Sequence, residues 1–354
     1  MGGKLGDDAQ ARLLASALDY PVQEKALAFK PAYDQGKPWF RASFSHLTSE
    51  VAEALAPPWP DAIIAVGRRP AMVALEIKRR SQSTSKIILL GRPRHRRHFD
   101  LVVAPSHFLT PEADNICRVP WPLMVPDEAR IQAAGVDWAR KFEHLKRPLT
   151  AVFIGGATVP YALGTRAGAD LVARARSATK EEGTLYFSTS RRSGRALRES
   201  LRSKVSERPD SEELFEWAPD AKDNPYHALL ALADRFVVTG DSLSMMLEVA
   251  QRSKPLALYV PPLGLRPRSL LARLSRPLLY GWKDDTERFE PRAVTTALFA
   301  AGMINYARDL GAIHRQLLAS KRAELLGFGF GARAGALDLE LDKAAERVSK
   351  LLTV

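Results

Sequence analysis

The residues best suited to chemistry form a turn of small polar residues that leads into a helix carrying one carboxylate. They are Thr239, Gly240, Asp241, Ser242, Ser244, Met245 and Glu248. Backbone N–H groups and hydroxyls at the start of a helix suit phosphate oxygens, because the first-turn N–H groups have no partner within the helix. Glu248 lies six residues beyond Ser242 and could accept hydrogen bonds from a ribose diol. The turn predicts a nucleotide-diphosphate site; the alternative is a capped helix with an exposed glutamate.

Two other turns have the composition of phosphate-binding loops. Gly155 and Gly156 follow an apolar run, and glycine lets backbone N–H groups approach a phosphate closely. The next turn contains Ser188, Ser190, Arg191 and Arg192. Guanidinium groups bind phosphate oxygens in a bidentate manner, so this turn suits a diphosphate. A tight turn without a ligand, and a serine cap with solvated arginines, are the respective alternatives.

Five more residues complete the candidate list. Trp217 is predicted to form a wall for the base, and Asn224 and Tyr226 begin a helix beside it. Asn224 is equally well explained as a helix cap. Asp7 and Asp8 are candidate general bases toward an acceptor hydroxyl, although acidic residues at a helix start also complement the helix dipole.

Composition narrows the function classes. The chain is 46% hydrophobic and 26% charged, which is typical of a folded protein. Its length of 354 residues indicates two domains. The single cysteine, Cys117, excludes internal disulfides and multi-cysteine metal sites. His95 and His98 have no carboxylate or cysteine in ligand spacing, so no metal site is predicted. Short apolar runs and the absence of a secretory signal lead us to expect a cytoplasmic protein.

The formal net charge of +12 indicates an anionic partner. A phosphorylated substrate and an anionic membrane surface both fit, and exposed arginines without a dedicated partner are the alternative. No nucleic-acid motif accompanies the charge, so nucleic-acid binding is not expected. The loop Arg92–His98 and the arginines of 261–276 are candidate contacts for peripheral binding to the inner membrane.

The elements that must position these residues alternate between short apolar strands and amphipathic helices, which predicts parallel α/β architecture. Strands are predicted at 61–66, 87–90 and 101–104, and then at 150–154, 184–188, 213–217, 235–239 and 255–259. The proline-rich stretch 119–125 is predicted to be a loop. Parallel strands end at one edge of a sheet, so the candidate turns of the second half should converge there.

The pattern predicts two Rossmann-like domains followed by helices. Residues 1–145 form the acceptor-side domain, 146–300 the nucleotide-binding domain, and 301–354 helices that pack back on the first domain. The glycine-rich segment 2–8 has the composition of the first turn of a doubly wound domain, yet no strand precedes it. We therefore expect the first sheet to be one strand short or the reading frame to be truncated.

Several stretches together resemble the "elongated mitochondria" fission proteins of plants and their bacterial homologues. The matching stretches are 6–10, 91–93, 99–103, 155–156, 188–192, 224–226 and 233–242. That family is similar in turn to GT-B glycosyltransferases, including the peptidoglycan enzyme that adds N-acetylglucosamine to a lipid-linked acceptor. The resemblance implies a GT-B-like fold of two doubly wound α/β domains facing a cleft.

The resemblance also implies binding of a nucleotide-diphosphate sugar without a metal and with no cofactor besides that donor. We therefore expect an inverting sugar transferase that acts on an envelope or lipid-linked acceptor. Glu248 would correspond to a ribose-binding glutamate, and Asp7 or Asp8 would stand where the resembling enzyme has a histidine. A non-catalytic shell that recruits partners to a membrane, and a sugar-nucleotide epimerase, are the alternatives.

Overall fold

The computed structural model describes residues 1–3, 5–34, 40–92, 95–108, 110, 113–158, 160–221, 223–264, 280–283, 288–301, 309–331, 335 and 337–353. Its helices are α1 Leu5–Ser16, α2 Pro31–Asp34, α3 Ser49–Glu53, α4 Arg68–Arg80, α5 Glu128–Ala139, α6 Thr165–Ala178, α7 Arg195–Val205, α8 Tyr226–Leu232, α9 Leu243–Ala250, α10 Ala293–Ala300, α11 Leu310–Ala319 and α12 Leu341–Leu352. Its strands are β1 Ala62–Val66, β2 Lys86–Leu90, β3 Leu101–Pro105, β4 Ile116–Val119, β5 Leu149–Ile154, β6 Thr184–Thr189, β7 Glu212–Phe215, β8 Arg235–Thr239, β9 Leu256–Tyr259, β10 Tyr280–Lys283, β11 Arg288–Pro291 and β12 Glu324–Leu325. Short 3-10 turns occur at Arg96–His98, Ser106–Phe108 and Arg140–Phe142.

The chain divides into two compact units. Unit 1 comprises residues 1–125, 289–309 and 338–354, and unit 2 comprises 126–288 and 310–337. Helix α5, which the sequence pattern assigns to the first domain, lies in unit 2 and packs on α8. The two helices approach closely, because a Cβ atom on Gly135 would lie 2.9 Å from the Ala231 side chain. Of the C-terminal helices, α11 lies in unit 2 and α12 in unit 1.

Unit 1 contains a parallel sheet in the order β1-β2-β3-β4. Its buried centre includes Ile87, Val102 and Ala104, against which Ala71 and Ala74 of α4 pack. Strand β4 is absent from the sequence prediction. It has four residues and, among the described strands, pairs with β3 alone at the sheet edge, so tertiary pairing rather than an apolar run makes it a strand.

Unit 2 contains a parallel sheet in the order β12-β9-β8-β5-β6-β7. Every residue of β5 and β6 is buried, as expected for parallel strands covered on both faces. Val152 and Ile154 face α6 and α7, whereas Phe153 faces the opposite side and packs on Tyr226 of α8. The parallel α/β class predicted from the sequence is confirmed.

The strand order reverses at β5. The chain runs from β5 outward through β6 to β7, and then returns to place β8 and β9 on the other side of β5. Doubly wound sheets bind ligands outside the carboxyl ends of the strands at such a switch point. We call the edge of the unit 2 sheet where β5, β6 and β8 end the carboxyl edge. Among the described helices, none has the length and apolar composition to span a bilayer.

Candidate functional site

At the switch point, side chains at and just after the end of β8 bind the backbone that follows β5. The N–H of Gly155 donates to Thr239 Oγ1 at 2.8 Å, and the N–H of Gly156 donates to Asp241 Oδ2 at 2.8 Å. Both N–H groups that the sequence assigns to phosphate are therefore engaged by the protein. These bonds fix the relative position of the two turns.

The glycine pair is explained by close packing. A Cβ atom on Gly155 would overlap the Asp241 carboxylate, and one on Gly156 would overlap the backbone carbonyl of Arg192. Glycine is thus required here because two neighbouring turns approach each other, whether or not a phosphate binds.

Asp241 carries a buried carboxylate at the centre of this edge, with only 1% of its surface exposed. Burial raises its pKa, and the Gly156 N–H bond and the Arg192 charge partly oppose that rise. Arg192 Nη1 lies 3.4 Å from Asp241 Oδ2 and also donates to Thr158 Oγ1. Asp241 Oδ1 accepts no hydrogen bond from any described residue. The pair therefore holds one guanidinium at the carboxyl edge.

The turn after β6 is held in place by hydrogen bonds within the turn and to the turn after β5. Ser193 Oγ donates to the Gly155 carbonyl at 2.6 Å and accepts from the Ser190 N–H at 3.0 Å. Ser188 is buried inside β6. Arg191 is exposed and has no hydrogen-bond or ion-pair partner among the described residues. Its guanidinium is available to an anion.

Helix α9 begins at the same edge without a side-chain cap. Ser242 is its N-cap residue and is buried, but its hydroxyl makes no capping hydrogen bond. Ser244 is exposed and Met245 is half-buried in the first turn. The unsatisfied N–H groups and the positive end of the helix dipole make this start attractive to an anion.

Glu248 is oriented by a tyrosine. Tyr226 Oη donates to Glu248 Oε2 at 2.8 Å and is the only hydrogen-bond partner of that carboxylate within the described part of the chain. Tyr226 itself packs against Phe153, with ring centroids 4.7 Å apart. Burial raises the pKa of Glu248, while the Tyr226 hydrogen bond lowers it. One carboxylate oxygen is thus fixed in place, and the other remains an acceptor.

Asn224 and Trp217 have structural roles in this arrangement. Asn224 Oδ1 accepts the Tyr226 N–H at 3.0 Å, so its side chain orders the start of α8. The half-buried Trp217 donates its backbone N–H to Thr189 Oγ1 at 2.8 Å, and its carbonyl accepts from Arg198 Nη1 at 3.3 Å. Trp217 follows β7, the outermost strand on this side of β5.

His314 belongs to this edge although nothing in the sequence singles it out. Its Nε2 lies 2.6 Å from the Gly240 carbonyl, and its ring stacks on Tyr161 at 5.9 Å between centroids. A Cβ atom on Gly240 would lie 2.6 Å from the same Nε2. The histidine comes from α11, more than 70 residues beyond the turn, so only the fold connects the two.

Asp7 and Asp8 lie in the first turn of α1 in unit 1. The Asp8 carboxylate accepts the N–H groups of Gly2 at 2.8 Å and Gly3 at 3.0 Å, which is a helix-start role. Asp7 lies at the end of β1, with Oδ2 3.7 Å from where a Cβ atom on Gly67 would stand. Of the two candidate bases, Asp7 is the one beside a strand end.

The basic loop of unit 1 is partly ordered by ring contacts. His95 stacks on Phe40 at 4.3 Å between centroids, and Arg96 Nη1 donates to Asn115 Oδ1 at 3.1 Å. Residues 93–94 of this loop and 265–276 of the second proposed membrane contact lie outside the described residues. In the part of the chain that is described, no three His, Cys, Asp or Glu side chains cluster as metal ligands.

Comparison with known proteins identifies the family. The family model described as mitochondrial fission ELM1 matches residues 6–276 of the 354. The chain belongs to this family. The resemblance stated from the sequence is therefore confirmed.

Two curated relatives align over about half of this chain. The ELM1 mitochondrial fission protein of Arabidopsis thaliana is 26% identical over 227 residues, which cover 55% of this chain and 50% of that protein. The uncharacterized protein RP120 of Rickettsia prowazekii (strain Madrid E) is 23% identical over 235 residues, which cover 57% of this chain and 65% of that protein. The aligned region thus covers 50% of the length of the first relative and 65% of the length of the second.

Two solved structures are similar in architecture to this ELM1 family member. One is the catalytic domain of starch synthase IV from Arabidopsis thaliana bound to ADP and acarbose, with a TM-score of 0.42 and 12% identity, covering 83% of this chain and 72% of that one. The other is UDP-GlcNAc 2-epimerase from Neisseria meningitidis bound to UDP-GlcNAc, with a TM-score of 0.40 and 11% identity, covering 83% and 76%.

Proposed function

We propose that unit 2 binds a nucleoside diphosphate, as part of a nucleotide sugar, at its carboxyl edge. The observation that carries the proposal is the Tyr226–Glu248 pair on helices that start at this edge. Burying a carboxylate is unfavourable unless it is paired with hydrogen-bond donors. Tyr226 supplies one donor, and a ribose diol would supply two more, so Glu248 is suited to a ribose.

The diphosphate is assigned to the start of α9 and to Arg191. The N–H groups of Gly155 and Gly156 already have partners, so they are less suited to phosphate than the uncapped first turn of α9. Arg191 adds an exposed guanidinium from the neighbouring turn after β6. Arg192, paired with Asp241, adds guanidinium N–H donors at the same edge.

The reaction proposed for this ligand is inverting sugar transfer to an envelope or lipid-linked acceptor hydroxyl. Negative charge develops on the leaving diphosphate in the transition state, where preorganised donors such as Arg191 and the α9 N–H groups lower the barrier. Asp7 is the proposed general base, because its carboxylate lies beside the end of β1. We expect no cofactor besides the donor.

Calorimetric titration of uridine, UDP, ADP and GDP tests the proposal. Glu248→Gln keeps the side-chain volume but weakens a charge-assisted hydrogen bond worth roughly 1.5–3 kcal/mol, so affinity should fall about tenfold or more. Arg191→Ala should lower the affinity for the nucleoside diphosphates far more than the affinity for uridine. Arg208→Ala removes an arginine that pairs with Glu181 instead, and it should leave every affinity unchanged.

The outcomes separate binding from location. If no nucleotide binds, the proposal is wrong. If a nucleotide binds equally well to the wild type, Glu248→Gln and Arg191→Ala, the ligand lies elsewhere. Release of the diphosphate from a bound nucleotide sugar, measured with and without bacterial lipid extract, tests the transfer step.

A further inference from the structure

A cavity lies in unit 2, between helix α6 and the strands β9 and β12. Its volume is about 500 Å³, within the range typical of small-molecule sites. Most of its lining is apolar, and charged side chains from α6 stand at one side. The residues that matter here are Arg166, Asp170, Tyr259, Val260, Leu325 and Phe328.

This cavity is separate from the proposed nucleotide site. Tyr259 points to the sheet face covered by α6, together with Val152 and Ile154. Glu248 and Tyr226 lie on the other face, where Tyr226 packs on Phe153. Successive strand residues point to opposite faces, so the sheet lies between this cavity and the Tyr226–Glu248 pair.

One of the two arginines that line the cavity has no acidic partner among the described residues. Asp170 Oδ2 lies 3.0 Å from Arg174 Nε and accepts the Tyr259 hydroxyl at 3.0 Å, so this carboxylate is satisfied. Arg166 is exposed and has neither an ion-pair nor a hydrogen-bond partner among the described residues. A ligand at this place therefore meets one uncompensated positive charge.

Phe328 forms an apolar, solvent-exposed rim of the cavity. Its side chain is 83% exposed, and Val260 is 41% exposed beside it. Gly327 and Gly329 flank Phe328 at φ values of 109° and 139°, which only glycine adopts readily. The backbone of this loop thus has the unusual conformation that presents a large ring to solvent at a cavity.

We propose that this cavity binds a free single-chain amphiphile with one anionic headgroup, an alkyl carboxylate or alkyl phosphate. The alkyl chain lies along Val260, Leu325 and Phe328, and the headgroup meets Arg166. A half-open cavity of this size accommodates one chain, whereas a bilayer surface would need a broad apolar patch. The proposal does not depend on nucleotide binding at the opposite face.

Titration of the full chain with dodecyl phosphate below its micelle concentration tests the proposal. Dodecyl phosphate should bind, dodecanol should bind at least tenfold more weakly, and inorganic phosphate should not bind measurably. Decyl phosphate should also bind more than tenfold more weakly, because each methylene contributes roughly fourfold. UDP should not displace the amphiphile.

Variants locate the ligand. Arg166→Gln should lower the affinity for dodecyl phosphate about tenfold and leave the affinity for dodecanol unchanged. Phe328→Ser should lower both affinities. Both side chains are exposed, so the fold should persist. Arg195→Ala, an exposed arginine paired with Glu199, is the matched control and should change nothing. Unchanged binding in Arg166→Gln, displacement by UDP, or binding to anionic vesicles without binding of the monomeric amphiphile would each overturn the proposal.

Discussion

Asp241 is a residue at which the stability of the fold and the proposed function make opposite demands. Its carboxylate is buried, its Oδ1 has no hydrogen-bond donor among the described residues, and its Oδ2 binds Gly156 and faces Arg192. A buried charge with incomplete pairing costs stability. We therefore interpret Asp241 as a group that positions Arg192 at the carboxyl edge at some cost to the folded state.

We predict that Asp241→Asn raises the melting temperature at pH 7 and weakens UDP binding. The folded-state pKa of Asp241 lies above its unfolded value of 3.8, so protonation favours the folded state. The stability gained in this way is present below pH 3.8 and lost as the pH rises through the folded pKa. The neutral amide avoids that loss, so its advantage should be largest near pH 7 and shrink toward pH 4.

Calorimetric melting between pH 5 and pH 8 measures this advantage. Asp220→Asn, at an exposed position after β7, is the matched control and should leave the melting curve unchanged. A lower melting temperature for Asp241→Asn at pH 7 would contradict the interpretation, since it would mean that the ionised carboxylate is net stabilising.

At the scale of elements, the site depends on how closely the turns after β5, β6 and β8 pack. Gly155 adjoins Asp241, Gly156 adjoins the Arg192 backbone, and Gly240 adjoins His314. The hydroxyl of Ser193 links the first two turns through the Gly155 carbonyl. The turns therefore form one packed layer in which a displacement of one shifts its neighbours.

Gly156→Ala tests this packing. Its Cβ would overlap a backbone carbonyl rather than the end of a flexible side chain, so we expect a loss of about 1–3 kcal/mol in the free energy of unfolding. Nucleotide affinity should fall as well, because Arg192 must move. Denaturant unfolding and UDP titration provide the two measurements.

Gly194→Ala is the matched control for this experiment. Gly194 precedes α7 at a φ of −70°, and a Cβ atom there would meet nothing within 4 Å. The loss should stay below about 1 kcal/mol, the usual scale for a changed helix cap. Similar losses for the two variants would show that the turns can separate without cost.

At the scale of the whole molecule, the charge of +12 is the main feature that acts at a distance. The charge is distributed over the chain, and it attracts anionic surfaces without specifying a single site. We predict that the protein co-sediments with vesicles containing anionic lipid more than with neutral vesicles. Binding should decrease as salt rises, because exposed charges are screened beyond about 10 Å at 0.1 M. Equal sedimentation with both vesicle types would disprove this.

Much of the architecture follows from the sequence because it depends on local patterns. Apolar strands such as 235–239 and turns such as Thr239-Gly240 are recognised from neighbouring residues alone, and so is the convergence of parallel strand ends. The family resemblance is carried by the same short stretches. These features needed no knowledge of distant contacts.

Only the tertiary structure decided which groups of the site have partners. Thr239 and Asp241 engage Gly155 and Gly156 across 84 and 85 residues, and His314 reaches Gly240 across 74. Local periodicity contains no information on such pairs, because they depend on strand order. The same reason explains why Arg191 and Arg192, adjacent and chemically identical, differ: the fold places Asp241 beside only one of them.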